Sequence, residues 1–257
     1  MAHWVRFEAA GRTGFGTLTG ETIAVNEGDM FAGARATGET LSVASVRLLA
    51  PCVPGKMICL WNNFHALSAK LGVAEPAEPL YLLKAPTSHA GPGDEIRRPA
   101  SYGGKIVYEG ELGIVIGRPL ANASEAEAAA GIFGFTCVND VTAADIIQKD
   151  PTFPQWARAK SFDTFGIIGP VIATGLDPAS LTVRTILNGA ERQNYPIADM
   201  IFPAATLVSR LSGDMTLLPG DVIACGTSIG VGVMKEPENV VEIVIEGIGT
   251  LRNTLRN

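Results

Sequence analysis

The sequence predicts a β-rich α+β protein, with a mostly antiparallel body over residues 51–257 behind a small β annex over residues 1–50. Three observations predict it. Short β-branched and aromatic runs bounded by glycine and proline recur along the whole chain. Helical periodicity is confined to three places. Strands and helices do not alternate regularly, as a doubly wound parallel sheet would require.

The annex, "HWVRFEAAGRTGFGTLTGETIAVNEGDMF", consists of short β-prone runs cut by Gly-rich turns, and it closes at the proline-bounded "LLAPCVPGKM". Beyond it the strand-like runs are "KMICLW", "PLYLLKA", "KIVYEGELGIVIG", "IFGFTCVND", "GPVIAT", "SLTVRTILNG", "DVIACGTS" and "NVVEIVIEGIGTLRN". The helical segments are "FHALSAKLG", "NASEAEAAAGIFG" and "PAATLVSRLSG". Ser124 and Glu127 form a capping-box pattern at the start of the second, where each side chain can satisfy an orphan amide of the first turn. Asn188-Gly189, between two strand-like runs, predicts a tight hairpin. No internal repeat or low-complexity segment interrupts the pattern.

A chain of 257 residues that is 47% apolar can bury a large core without staples. Its 20 basic and 26 acidic residues give a net charge of -6, with the basic residues scattered. That distribution argues against nucleic acid and anionic membranes, leaving a small molecule as the expected partner. Cys52, Cys59, Cys137 and Cys225 form no C-x-x-C pair and sit among apolar neighbours. They are expected to be buried reduced thiols rather than a disulfide frame or a zinc site. "MAHWVRFEAAG" lacks a signal-peptide apolar core, and no run reaches the ~18 apolar residues of a membrane span. A soluble, cytoplasmic protein is expected.

The candidate chemistry lies in "KIVYEGELGIVIG". Residues i and i+2 of a strand share a face, so Glu109 and Glu111 are expected to point the same way, roughly 7 Å apart along the chain. Val107, Gly113 and Val115 continue that face as apolar surface, and an unpaired acid buried there is costly unless its pKa rises. A divalent cation resolves the conflict, because carboxylate oxygens are hard ligands for Mg²⁺, Mn²⁺ or Ca²⁺. A third ligand is expected from "GFTCVNDVTAAD", at Asp140 where the strand ends or at Asp145 in the following turn or helix. Three acids around one such ion leave net negative charge, which makes Lys160 in "RAKSFDTFG" the candidate cation near an anionic substrate.

These residues, with "EPLYLLKAPTSHAGPGDEIRRP", "RAKSFDTFGIIGPVI", "LTVRTILNGAERQ", "MIFPAATLVSRLSGDMTLLPGDVIACGTSIGVG" and "EGIGTLRN", resemble in order the pattern of the fumarylacetoacetate hydrolase family. The resemblance covers roughly residues 51–257, and the first fifty residues look like an extension some members carry. It is closest to the bacterial 2-hydroxyhepta-2,4-diene-1,7-dioate isomerases and the related 5-carboxymethyl-2-oxo-hex-3-ene-1,7-dioate decarboxylases. The resemblance implies a mixed β-sandwich roll, a homodimer, and Mg²⁺ or Mn²⁺ held at Glu109, Glu111 and Asp140. It also implies a catalytic role for Lys160 and substrate contacts at Thr227, Gln193 and Lys84.

The sequence departs from the family pattern in three places. "WNNFHALSAK" shifts His65 from its place in N-Y-x-x-H-x-x-E and puts Ser68 where the glutamate would follow, so His65 is expected to lack that partner. Ala144 replaces an arginine in "TAAD", and "GTSIG" lacks a lysine. His65 remains a candidate base on a lid helix, whereas His3 and His89 are expected to have no chemistry.

A tri-carboxylate metal site suits enolate chemistry on a 2-oxo acid. Without a paired base to activate water, isomerisation or decarboxylation of a 2-oxo or 2-hydroxydienoic acid is the leading expectation. C–C hydrolysis of an acylpyruvate or fumarylacetoacetate-like acid is the alternative, and a non-catalytic oxo-acid binder of the same fold is a further one. A dinucleotide site at "GTSIGVG" is set aside, since no helix follows those glycines.

Overall fold

The structure is a computed structural model that describes residues 1–257. The N-terminal strands are β1 (His3–Ala9), β2 (Arg12–Thr19), β3 (Thr22–Glu27), β4 (Arg35–Ser42) and β5 (Arg47–Leu49). Then come β6 (Met57–Trp61), helix α1 (His65–Leu71), β7 (Leu80–Lys84), β8 (His89–Ala90) and β9 (Glu95–Ile96). The acidic segment forms β10 (Ile106–Tyr108) and β11 (Gly110–Ile116), followed by α2 (Glu125–Gly131), β12 (Ile132–Asp140) and β13 (Thr142–Ala143). Helices α3 (Ala144–Ile147) and α4 (Trp156–Lys160) precede β14 (Gly166–Ala173), β15 (Thr182–Leu187) and β16 (Ala190–Pro196). The chain ends with α5 (Ala204–Asp214), β17 (Val222–Ala224), β18 (Gly232–Val233), β19 (Glu238–Ile245) and β20 (Gly249–Arg256).

Three sheets result. The largest runs β4-β3-β2-β1-β14-β12-β11-β17-β6-β7, with β5 on β1 and β8 on β14. A five-stranded sheet runs β16-β15-β19-β20-β9, and a small one β13-β10-β18. Most pairs are antiparallel, but β17 with β6, β14 with β8 and β20 with β9 are parallel, so the roll is mixed. The first fifty residues dock on this body edge to edge. Through β1 they hydrogen-bond to β14, with Trp4 opposite Ile172, and so extend the large sheet.

The main core lies between the large and five-stranded sheets, where Ile114, Cys137 and Ile167 meet Val183, Ile243 and Leu251. β19 alternates buried and partly exposed residues, the period of a strand with one covered face. β11 is buried throughout, as its near-continuous apolar run requires. A second cluster, including Met57, Cys59, Val115, Val138 and Ile168, covers the opposite face of the large sheet. α5 buries Ala204, Leu207, Val208 and Leu211, an i, i+3, i+4, i+7 stripe.

The three predicted helices form, and Ser124 and Glu127 make the capping box in full. Asn188 and Gly189 both take positive φ in the β15–β16 turn. Two features differ from expectation. α3 and α4 span only four and five residues, too few to show helical periodicity. The segment expected as one strand is broken at Glu109, because β10 pairs in the small sheet and β11 in the large one. No helix is long and apolar enough to cross a membrane.

Candidate metal centre and active site

The break at Glu109 lets neighbouring strands present their acids to one point. Glu109 sits between β10 and β11, its N–H donating to Asn139 Oδ1 at 3.2 Å and its carbonyl accepting from Asp140 N at 2.9 Å. Glu111 follows on β11, and Asp140 ends the adjacent β12. Ligand oxygens of Glu109, Glu111 and Asp140 all lie within 4.8 Å of one another. The alternative third acid, Asp145, is exposed on α3, where it accepts from Tyr102 Oη and Lys105 N.

The peptide between the two glutamates is clamped from β16 of the five-stranded sheet and from the loop after β17. Gly110 N donates to Gln193 Oε1 at 3.0 Å, and its carbonyl accepts from Tyr195 Oη at 2.5 Å and Thr227 Oγ1 at 3.0 Å. A Cβ at Gly110 would stand 2.1 Å from Thr185 Oγ1, so this close approach requires glycine.

Two buried lysines answer the acids. Lys160, at the end of α4, places Nζ 2.9 Å from Glu109 Oε1, 2.5 Å from Asp140 Oδ2 and 2.7 Å from Thr142 Oγ1. Thr142 in turn donates to Glu109 Oε1 at 2.6 Å. Lys84 Nζ lies 2.6 Å from Asp140 Oδ1 and donates to the carbonyls of Val141, Lys160 and Phe165. Burial opposes the charge on Asp140, yet Lys160 and Lys84 together hold its pKa below the ordinary value. Burial likewise opposes the charge on Lys160, and the facing acids, Asp140 first, reverse that and raise its pKa.

Glu111 has no such answer. Its Oε2 accepts from Gly226 N at 2.9 Å, but its Oε1 is buried without a partner. Burial, then the charges of Asp140 and Glu109, push its pKa well above the ordinary value. A divalent cation among the three carboxylates would satisfy the orphaned oxygen with the hard-ligand chemistry it prefers, so these residues fit such an ion. Glu109, with 16% of its side chain exposed, marks the open side, since Asp140 is fully covered and Lys160 nearly so.

Thr227, 9% exposed, lies beside this cluster through its bond to the Gly110 carbonyl. Lys84 and Gln193, expected as substrate contacts, are both buried at the cluster and engaged within the chain. Lys84 is 2% exposed with its ammonium enclosed by carbonyls and Asp140, and Gln193 is 1% exposed with its amide bonded to Gly110, Thr185 and Thr227. His65 differs from expectation as well. Its Nδ1 lies 2.6 Å from Glu75 Oε1, so it has an acidic partner after all, ten residues on instead of three. Gly72, in the left-handed conformation, ends α1 and turns the chain to bring Glu75 back. Ser68, at the position of the missing glutamate, donates to Asn62 Oδ1. Sequence reasoning also passed over Thr142, although it opens "TAAD", and Tyr195, which carries no motif; both are identified by what they touch.

The mixed roll and its carboxylate cluster define a protein of the fumarylacetoacetate hydrolase type. The fumarylacetoacetate (FAA) hydrolase C-terminal family matches residues 56–256, and the Rv2993c-like N-terminal family matches residues 2–51. The chain belongs to the fumarylacetoacetate hydrolase family. It is 44% identical over 220 residues to protein Rv2993c of Mycobacterium tuberculosis, covering 84% of this chain and 81% of that one. It is 36% identical over 227 residues to the oxaloacetate tautomerase YisK of Bacillus subtilis, covering 83% of this chain and 74% of that one. Among solved structures, 2-hydroxyhepta-2,4-diene-1,7-dioate isomerase from Mycobacterium marinum superposes with a TM-score of 0.90 at 38% identity, over 100% of this chain and 98% of that one.

Proposed function

We propose that the chain is a Mg²⁺- or Mn²⁺-dependent enzyme that tautomerises or decarboxylates a 2-oxo acid by way of its enolate. The observation that carries this reading is the convergence of Glu109, Glu111 and Asp140 with Oε1 of Glu111 buried and unpartnered. An ion held there supplies a Lewis acid for the oxygens of a 2-oxo acid. Lys160, fixed by Glu109, Asp140 and Thr142, adds positive charge beside the developing enolate. Thr227 stands at the same cluster, and its hydroxyl, which donates to the Gly110 carbonyl in the free chain, would turn from it to bind a substrate carboxylate. The isomerase and tautomerase relatives support this class of chemistry.

The His65–Glu75 pair favours a second reading, C–C hydrolysis of an acylpyruvate. A carboxylate on Nδ1 orients the ring and leaves Nε2 free to take a proton from water. One experiment tests and separates the two. Mn²⁺-loaded protein is expected to accelerate the enol–keto exchange of oxaloacetate or its release of CO₂, and Glu109→Ala to cut that rate on the order of 10²-fold or more. Acylpyruvate cleavage that is lost in both His65→Ala and Glu75→Gln, with oxaloacetate untouched, would establish hydrolysis instead. Oxalate binding to the metal with no turnover of either substrate class would leave a binding protein.

A further inference from the structure

An apolar cavity beside the acid cluster has no part in the chemistry above, and strand register fixes its position. Across the large sheet, Gly113 stands opposite Ala224, Ala224 opposite Cys59, and Cys59 opposite Leu82. One pleat nearer the site, the corresponding row is Glu111, Gly226, Trp61 and Leu80. The Gly226 N–H, which donates to the Glu111 carboxylate, and the Trp61–Leu80 pairing are consistent with that row. Residues two apart share a face, so Glu111, Trp61 and Leu80 project to the same side. At about 4.8 Å per strand, Trp61 starts roughly 10 Å from Glu111.

A second arm leads to the same place. Trp156 opens α4, whose last residue, Lys160, touches Glu109 and Asp140. The Trp156 ring lies 5.8 Å from that of Trp61. With Pro79, Leu80, Tyr81 and Leu82, the two tryptophans line a cavity of about 480 Å³, within the about 300–1,000 Å³ of small-molecule sites. No lining residue carries a charge, and Leu80 and Tyr81 stay 41% and 37% exposed.

We propose that this cavity receives the tail of the substrate, and that the 2-oxo acid turned over here carries an aryl or long alkyl group beyond its reacting head. The inference rests on the reading of the acid cluster as an oxo-acid site. A longer dioate that brought its distal carboxylate to this wall would place it among tryptophan, leucine and proline, with no cation in the wall to receive it. A flat aromatic tail can pack against the paired indoles and cover the exposed leucine.

Calorimetry on Mn²⁺-loaded protein tests this with oxalate, acetylpyruvate and benzoylpyruvate, which share the metal-binding head and differ in tail. Benzoylpyruvate is expected to bind about tenfold or more tighter than acetylpyruvate. Trp156→Ala should erase that difference while leaving oxalate affinity unchanged, and Trp156→Phe should keep most of it. Leu80→Ser, on the opposite wall and off α4, should erase it too, which guards against damage to the helix that carries Lys160. Equal affinity for the two acylpyruvates, or an oxalate affinity that falls in step in both wall variants, overturns the inference. If oxalate itself fails to bind, the oxo-acid reading is what has failed. Quenching of tryptophan fluorescence by phenylacetate, present in the native chain and absent in Trp156→Ala, then still upholds an aryl-binding cavity, and its absence, as when a second copy of the chain covers the wall, rejects one.

Discussion

Glu111 accepts one backbone N–H and is otherwise buried beside the Asp140 and Glu109 carboxylates, so burial first and those charges second favour its protonated form when no ion is bound. Glu111→Gln preserves that shape and charge, and the metal-free variant should keep wild-type stability to within about 1 kcal/mol. Its Mn²⁺ affinity should fall by more than about 100-fold, because loss of an outer partner alone typically costs about 10–100-fold. Thermal melts with and without chelator, together with calorimetric titration, check both halves. A variant that is several kcal/mol less stable without metal would show that the native acid is charged and paired. His89 makes a contrasting case outside the site. Burial first, and the Lys84 charge second, lower its pKa to about 4, and its Nε2 is buried without a partner. Between the ordinary value near 6.5 and about 4, the unfolded chain binds a proton that the folded one refuses. His89 therefore withdraws stability as pH falls through that window. Denaturant midpoints measured from pH 7 to 4 should fall less steeply in His89→Gln, and parallel curves would assign the acid sensitivity to other groups.

Among the elements, the acidic segment is where local sequence and tertiary structure part. Its β propensity is continuous from Lys105 to Gly117, so nothing local announces the break at Glu109. The break exists because β13 and β18 capture one half while β12 and β17 capture the other. Gly110 is the residue that permits it. In Gly110→Ala the new Cβ would meet Thr185 Oγ1 at 2.1 Å and Ile243 Cδ1 at 2.9 Å. Overpacking of this kind costs about 1–3 kcal/mol, or several degrees in Tm for a chain of this size, and metal affinity should fall as the flanking glutamates shift. Adding Thr185→Ala removes the nearer clash and should restore part of the loss, whereas no recovery would place the damage elsewhere. The features legible in advance were those with local causes. Ser124 with Glu127 announced α2, Asn188-Gly189 announced its hairpin, and an acid pair on an apolar face announced the cluster. The His65–Glu75 contact, the burial of Lys84 and Gln193, and the short α3 and α4 depend on chain segments meeting across the fold. The same holds for the joining of β1 to β14, across more than 160 residues.

At the scale of the whole molecule, the cluster joins strands of the large sheet to a lysine from α4 and a lysine from β7. An ion there would bind the folded chain and find no equivalent site in the unfolded one. At a free concentration about 100 times its Kd, such a ligand adds about 2.7 kcal/mol to folding stability. At about 2–4 °C per kcal/mol for a protein of this size, Tm should rise by roughly 5–10 °C with Mn²⁺ or Mg²⁺ and return on chelation. Ionic strength alone screens exposed pairs such as Arg35–Glu27, so a NaCl titration matched in ionic strength is the control. Glu111→Gln should melt at the same temperature with and without the ion. If that variant keeps the full shift, the stabilising ion sits somewhere other than among Glu109, Glu111 and Asp140, and the oxo-acid chemistry assigned to that cluster loses its foundation.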